Sequence, residues 1–143
     1  MGYCVTVIEC KFSILSSNFD AALSAIKSLM SNEDKMSGGS FSGGKQIERW
    51  FSWVATEEVI HAKTLMEALW AWRWEPALDE AGNIEYLYFQ GEKWGDDDKL
   101  FRAIAPFVKC GSYVAFRGED GLMWRFLFEG GKIKEQTAEI VWR

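Results

Sequence analysis

Three stretches hold the residue types that could do chemistry. The first is Trp70-Ala71-Trp72-Arg73-Trp74, three indoles around one guanidinium. Tryptophan with arginine is the composition of binding hot spots, and a guanidinium stacks readily on an indole face. The second is acidic. Glu75 to Asp98 carries eight acids (Glu75, Asp79, Glu80, Glu85, Glu92, Asp96, Asp97, Asp98) against Lys93 alone, which makes −7; the whole chain is −5, so the remainder is +2. Glu92, Asp96, Asp97 and Asp98 are the acids best placed to meet a basic surface, while a purely solubilising role for the band is the plainer reading. The third set is sparse: His61 is the only histidine, and Cys4, Cys10 and Cys110 are the only thiols.

That third set does not assemble a reaction centre. Nucleophilic catalysis needs a nucleophile, a base and a group that orients the base, and no such grouping surrounds His61 in the sequence. Three widely spaced cysteines suit free thiols in a reducing compartment rather than a disulfide framework. Zinc needs closely spaced ligands, and the alternating acids and central glycine of a calcium loop are absent. Consecutive carboxylates at a helix start diverge, so Asp96, Asp97 and Asp98 read as helix-capping groups rather than ligands of one ion. Gly43-Gly44-Lys45 has neither the spacing nor the following hydroxyl of a phosphate loop. No catalytic residue, metal or cofactor is expected.

The elements that must position these groups follow from periodicity. At 143 residues, 48% hydrophobic and 26% charged, the chain suits one globular domain with a core of its own. Residues 3–14 read as a strand. Ser17 reads as the cap of a helix whose stripe is Phe19, Ala22, Leu23, Ile26, Leu29 and Met30. Residues 37–44, half glycine, read as a flexible loop. Residues 46–55 read as a second strand, and 56–62 are ambiguous. Thr64 and Glu67 form a capping box for a short helix. On a helix Trp70 and Trp74 would share a side; on a strand all three indoles would align.

Ala81-Gly82-Asn83 reads as a turn and residues 84–89 as the returning strand. Asp96–Asp98 start a helix with Leu100, Ile104 and Phe107 inward. Three strands close the chain, around Glu119-Asp120-Gly121 and Gly130-Gly131, the last running from Ile133 to Trp142. Trp50, Trp53, Trp124 and Trp142 are expected in the core. The order β-α-β-α-ββ-α-βββ predicts an α+β domain, a largely antiparallel sheet of about six strands with three helices.

Two strings imitate laboratory tags. Glu85-Tyr86-Leu87-Tyr88-Phe89-Gln90-Gly91 fits the site of a tag-removing viral protease, and Asp96-Asp97-Asp98-Lys99 is one aspartate short of another cleavage tag. Both have ordinary roles as strand and helix start, and only 52 residues follow Gly91, so the chain reads as one native domain. Met1-Gly2-Tyr3-Cys4-Val5-Thr6 fits an N-myristoylation pattern, but alternation favours a strand. No apolar run reaches membrane-spanning length and no basic leader precedes one, so a cytoplasmic protein without membrane contact is expected. The lack of a Lys/Arg cluster argues against direct nucleic-acid binding.

Several short pieces carry a resemblance: Trp72-Arg73-Trp74-Glu75-Pro76, Gly91-Glu92-Lys93, Gly95-Asp96-Asp97, Ile104-Ala105-Pro106, Gly118-Glu119-Asp120-Gly121 and Trp124-Arg125. On these the C-terminal two-thirds resembles a group of short bacterial and prophage proteins to which no activity is attached. The resemblance implies a bacterial or phage setting and a native 85–99 segment. The leading expectation is a non-catalytic acidic binding protein, using Trp70, Trp72, Arg73, Trp74, Glu92, Asp96, Asp97 and Asp98 against a basic protein partner. In a prophage it would be a stoichiometric inhibitor of a host defence protein. A nucleotide-like ligand stacked on the Trp/Arg run under the 37–44 loop is the alternative, and an enzyme without a recognisable motif is the third.

Overall fold

The computed structural model describes residues 2–143 and is α+β, with nine strands and four helices among them. Met1, the first position of the acylation pattern, lies outside the described residues. The main sheet contains β1 (Tyr3–Lys11), β6 (Lys93–Trp94), β7 (Tyr113–Gly118), β8 (Met123–Glu129) and β9 (Lys132–Thr137), in the order β6-β1-β7-β8-β9 with every pair antiparallel. Two hairpins stand beside it: β2 (Gly38–Ser42) with β3 (Lys45–Trp50), and β4 (Trp74–Leu78) with β5 (Ile84–Phe89). The second hairpin is tied to the β1 extension by paired backbone bonds between Ile14 and Ile84.

Helix α1 (Phe19–Leu29) buries Ala22, Ile26 and Leu29 of the expected stripe, and Phe19, Leu23 and Met30 pack partly buried against the core. Its entry is a 3₁₀ turn over Ser16–Asn18, and no side chain caps it, so the Ser17 cap is not formed. Residues 56–61 form α2, and α3 (Leu65–Ala71) starts at Thr64, whose hydroxyl oxygen accepts from Glu67 N at 3.2 Å as the capping box requires. α4 (Asp97–Ile104) sends Leu100, Phe101 and Ile104 inward. Phe101 sits at the centre of an edge-to-face aromatic lattice with Phe12, Trp74, Phe126 and Phe128.

Three expectations change. The 37–44 stretch is mostly strand: Gly38–Ser42 pairs with β3, and Gly43 and Gly44, at φ 57° and 77°, make the tight turn between them. Strand β3 ends at Trp50 rather than continuing to Ala55. The last strand ends at Thr137, because its partner strand runs out at Met123, whose carbonyl takes a final bond from Ala138 N. Trp142 is therefore exposed, not core.

The tag-like strings are both woven in. Residues 84–89 pair along β4, Gln90 N donates to Arg73 O at 2.8 Å, and Asp97 opens α4. Among the described residues no helix is long and apolar enough to cross a membrane.

Candidate binding site

The Trp70–Trp74 run is a corner rather than a helix face or a strand. α3 ends at Ala71, and Arg73, at φ 73°, reverses the chain into β4. The reversal sends Trp72 and Trp74 inward, both 0% exposed, and leaves Trp70 outside on α3. Trp72 packs on Phe51 with ring centroids 5.0 Å apart, and Trp74 stacks on Phe89 at 4.7 Å. Expecting Trp72 and Trp74 to meet a partner is therefore wrong: a ring sealed in the core has no surface to offer.

Arg73 and Asp97 are likewise committed. Arg73 Nη2 donates to Asp97 Oδ2 at 2.9 Å and Nη1 to Lys93 O at 2.7 Å, while the guanidinium lies 5.1 Å from the centre of the Phe89 ring. Trp74 Nε1 donates to Asp97 Oδ1 at 3.0 Å, and Gly95 N to Oδ2 at 2.9 Å. Asp97 is 1% exposed. Burial pushes its carboxyl above the usual range, and Arg73, the Gly95 N–H and the indole N–H pull the other way. Asp97 is an internal clamp for the corner and cannot dock a partner.

Asp96 turns to the opposite side. It does not cap α4. Its Oδ2 accepts from Ser52 N at 2.8 Å and from Ser37 N at 3.1 Å, which fastens the segments before β2 and after β3 to the start of α4. Asp96 is 4% exposed, so it too is no part of a flat acidic face. Asp98 is paired with Lys99 at 2.9 Å and approached by Arg102 at 3.9 Å. Glu92 stands apart, on the edge of a separate groove of about 560 Å³ between β1 and β5. The eight expected contact residues thus do not form one surface.

A different constellation does gather at the surface. Trp50, Trp53 and Trp94 wall a cup of about 500 Å³, with Asp96, Asp98 and Lys99 also lining it. Trp50 and Trp53 are 38% and 51% exposed, contrary to their expected core placement. They flank Phe51, which takes the buried position instead. Both indoles are seated on glycine. A Cβ on Gly38 would run into the Trp50 ring, and one on Gly95 would lie 2.7 Å from Ser52 O and 2.8 Å from Trp53 Cδ1. Trp53 is held at φ 67°, a backbone state that costs a bulky residue about 1–3 kcal/mol. Trp94 is fixed edge-on against Phe116 at 5.0 Å and Trp124 at 5.7 Å.

A second hollow of about 450 Å³ adjoins the cup, lined by Tyr3, Trp124, Leu122, Asp120 and Glu135, with Trp94 and Asp98 common to both. Trp124 is half-buried here, stacked on Phe116 at 5.4 Å. The Tyr3 hydroxyl donates to Asp120, which raises the phenol to about 12 and lowers the Asp120 carboxyl. Glu135 is reached by Arg102 at 3.8 Å. Together the two adjoining hollows make a trough with aromatic walls and four carboxylates (Asp96, Asp98, Asp120, Glu135), near two cations (Lys99, Arg102).

The other candidates stay dispersed. His61 is exposed on α2, 3.5 Å from Glu57. Cys4, Cys10 and Cys110 are free, and among the described residues no group of three His, Cys, Asp or Glu side chains could hold a metal ion. No family model, curated protein or solved structure matches the chain.

Proposed function

We propose that this is a non-catalytic binding protein that receives a basic segment of a protein partner along the Trp50–Trp53–Trp94–Trp124 trough. The observation that carries the reading is the adjacency of two hollows that share Trp94 and Asp98, with aromatic walls and an excess of carboxylates. Aromatic faces attract cations through their quadrupole, and carboxylates supply the complementary charge and steer association. In a bacterial or phage cytoplasm such a protein acts stoichiometrically, as an inhibitor that covers the basic working surface of a host defence protein. The nucleotide-like alternative loses its support, because Arg73 is spent internally and the trough's net negative charge repels phosphate.

The test is a titration of short basic, neutral and acidic peptides of equal length, read by tryptophan fluorescence at two salt concentrations. The basic peptide is expected to bind, more weakly at high salt and more weakly to a D98N/D120N/E135Q variant. Equal responses to all three peptides, or none to the basic one, would sink the reading.

A further inference from the structure

Asp96 has a feature that its structural role leaves unused. Its Oδ2 accepts both backbone N–H groups, whereas its Oδ1 accepts no hydrogen bond from the described residues. No described lysine, arginine or histidine forms an ion pair with it. Yet the residue is 4% exposed and lines the cup beneath three indoles. Lys99, the cation on the same wall, is engaged by Asp98. A carboxylate that the described residues satisfy at one oxygen only, that opens into the cup and that has no described counter-charge is matched by a cation that brings its own N–H donors.

We propose that the cup is an arginine-selective subsite, in which a partner's guanidinium stacks on the Trp50 and Trp53 indoles and donates to Asp96 Oδ1. The inference rests on the trough reading and names the side chain that anchors the partner there. Arginine fits better than lysine because the guanidinium is planar, weakly hydrated and able to stack while it donates. It fits better than a quaternary ammonium because that group has no N–H to offer the free oxygen. The cup volume of about 500 Å³ accommodates the head and stem of one long side chain and leaves room for its neighbours. Trp53 supports the assignment independently. Its half-exposed ring is held at the cup wall in a strained backbone state, which is the pattern expected where a ring is presented to a ligand.

The chain itself contains the same pairing in closed form. Arg73 lies on Phe89 and donates to Asp97, one residue from Asp96. The interior corner shows that an aromatic face and an aspartate of this segment hold a guanidinium, and the cup presents the same two elements to the outside.

The experiment uses the full chain with N-acetyl-arginine amide, N-acetyl-lysine amide and N-acetyl-trimethyllysine amide as probes, read by tryptophan fluorescence and by the indole N–H resonances. The arginine probe should saturate with a dissociation constant on the order of 1 mM, as suits a fragment-sized ligand. The lysine and trimethyllysine probes should bind roughly tenfold more weakly. D96N, which keeps an oxygen for Ser37 and Ser52, and W53G, which tolerates the positive φ, should each weaken the arginine probe by about tenfold with cooperative unfolding retained. Equal binding of the three probes, no saturation with arginine, or unchanged binding in a folded D96N overturns the proposal. A basic peptide that still binds the trough without preferring arginine would overturn the subsite alone. Failure of every basic peptide would remove the trough as well.

Discussion

Asp96 and Asp97 are chain neighbours that anchor two opposite designs. Around Asp97 everything is internal: Arg73 donates to it, Trp74 Nε1 donates to it, and Phe89 lies under the guanidinium. Around Asp96 the aromatic residues are Trp50, Trp53 and Trp94, partly open to solvent, and no described cation of the chain pairs with it. Each region also holds one non-glycine residue at positive φ, Arg73 at 73° and Trp53 at 67°. In the corner that strain is offset by an ion pair, three further hydrogen bonds and two sealed indoles. In the cup Asp96 pairs with no described cation and the Trp53 ring stays half-exposed. Similar local chemistry is used once to lock the fold and once, on the present reading, to meet something else.

The largest expected effect belongs to the corner. Asp97→Ala should cost about 3–5 kcal/mol in urea unfolding, because it strands the Arg73 guanidinium in the interior. Trp74→Ala should fall in the same range, about 3–5 kcal/mol, from the cavity it leaves. Asp96→Ala should cost less, about 1–3 kcal/mol, from two backbone N–H groups left without their acceptor. Equal losses at 96 and 97 would erase the distinction between lock and cup.

Titration sharpens the same point. The folded Asp97 carboxyl lies above its ordinary 3.8. As pH falls from the folded value through 3.8, the native state takes up a proton that the unfolded chain does not yet bind, so stability rises across that window. The wild type should therefore gain on Asp97→Asn as the pH falls through it, and parallel stability curves would contradict the burial-driven shift.

Glycine at the two strained positions should act in opposite senses. Trp53→Gly relieves backbone strain and gives up a half-exposed ring, so its stability should stay within ~1 kcal/mol of the wild type, on the stabilised side, while arginine-probe binding weakens by about tenfold. Arg73→Gly relieves comparable strain but removes the counter-charge of Asp97, and should destabilise by about 3 kcal/mol or more. If Trp53→Gly costs as much as Arg73→Gly, the Trp53 conformation is a structural device and the ligand-based explanation of its strain falls.

Much of the scaffold was legible in the sequence where a local rule has one outcome. The Thr64/Glu67 box, the α1 stripe, the 84–89 strand and the Glu119-Asp120-Gly121 turn each follow from propensity, period or capping chemistry, and each is present. Strand β2 escaped because glycine composition reads as loop, although its pairing fits the Trp50 indole against Gly38. The acids were recognisable as a helix start and expected to diverge. Where Asp96 and Asp97 end up depends on Ser37, Ser52, Arg73 and Trp74, which are 23 to 59 residues away and outside the reach of local pattern. Trp50 and Trp53 read as core because residues 46–55 read as a strand. The left-handed backbone at Trp53, next to the buried Phe51 in the same run, has no signature in hydrophobic period.

The smallest effect is expected at the far rim of the trough, where the hydroxyl of Tyr3 on β1 donates to Asp120 in the β7–β8 turn. The pair is exposed, so it should contribute little to global stability. Its titration is nevertheless specific. Asp120 is lowered below 3.8 chiefly by the Tyr3 bond, so the stability it brings is present above 3.8 and lost as pH falls through the folded value. Tyr3 is raised from 10.0 to about 12 chiefly by the same bond, so its share is present below 10 and lost as pH climbs through about 12. Asp120→Asn should let one tyrosine ionise nearer 10, visible as an earlier step in tyrosinate absorbance than in the wild type. It should leave the arginine probe untouched, because Asp120 lines the second hollow and not the cup. Loss of arginine selectivity in that variant would mean that cup and rim act as one site, and the division between an anchoring subsite and a flanking acidic hollow would have to be redrawn.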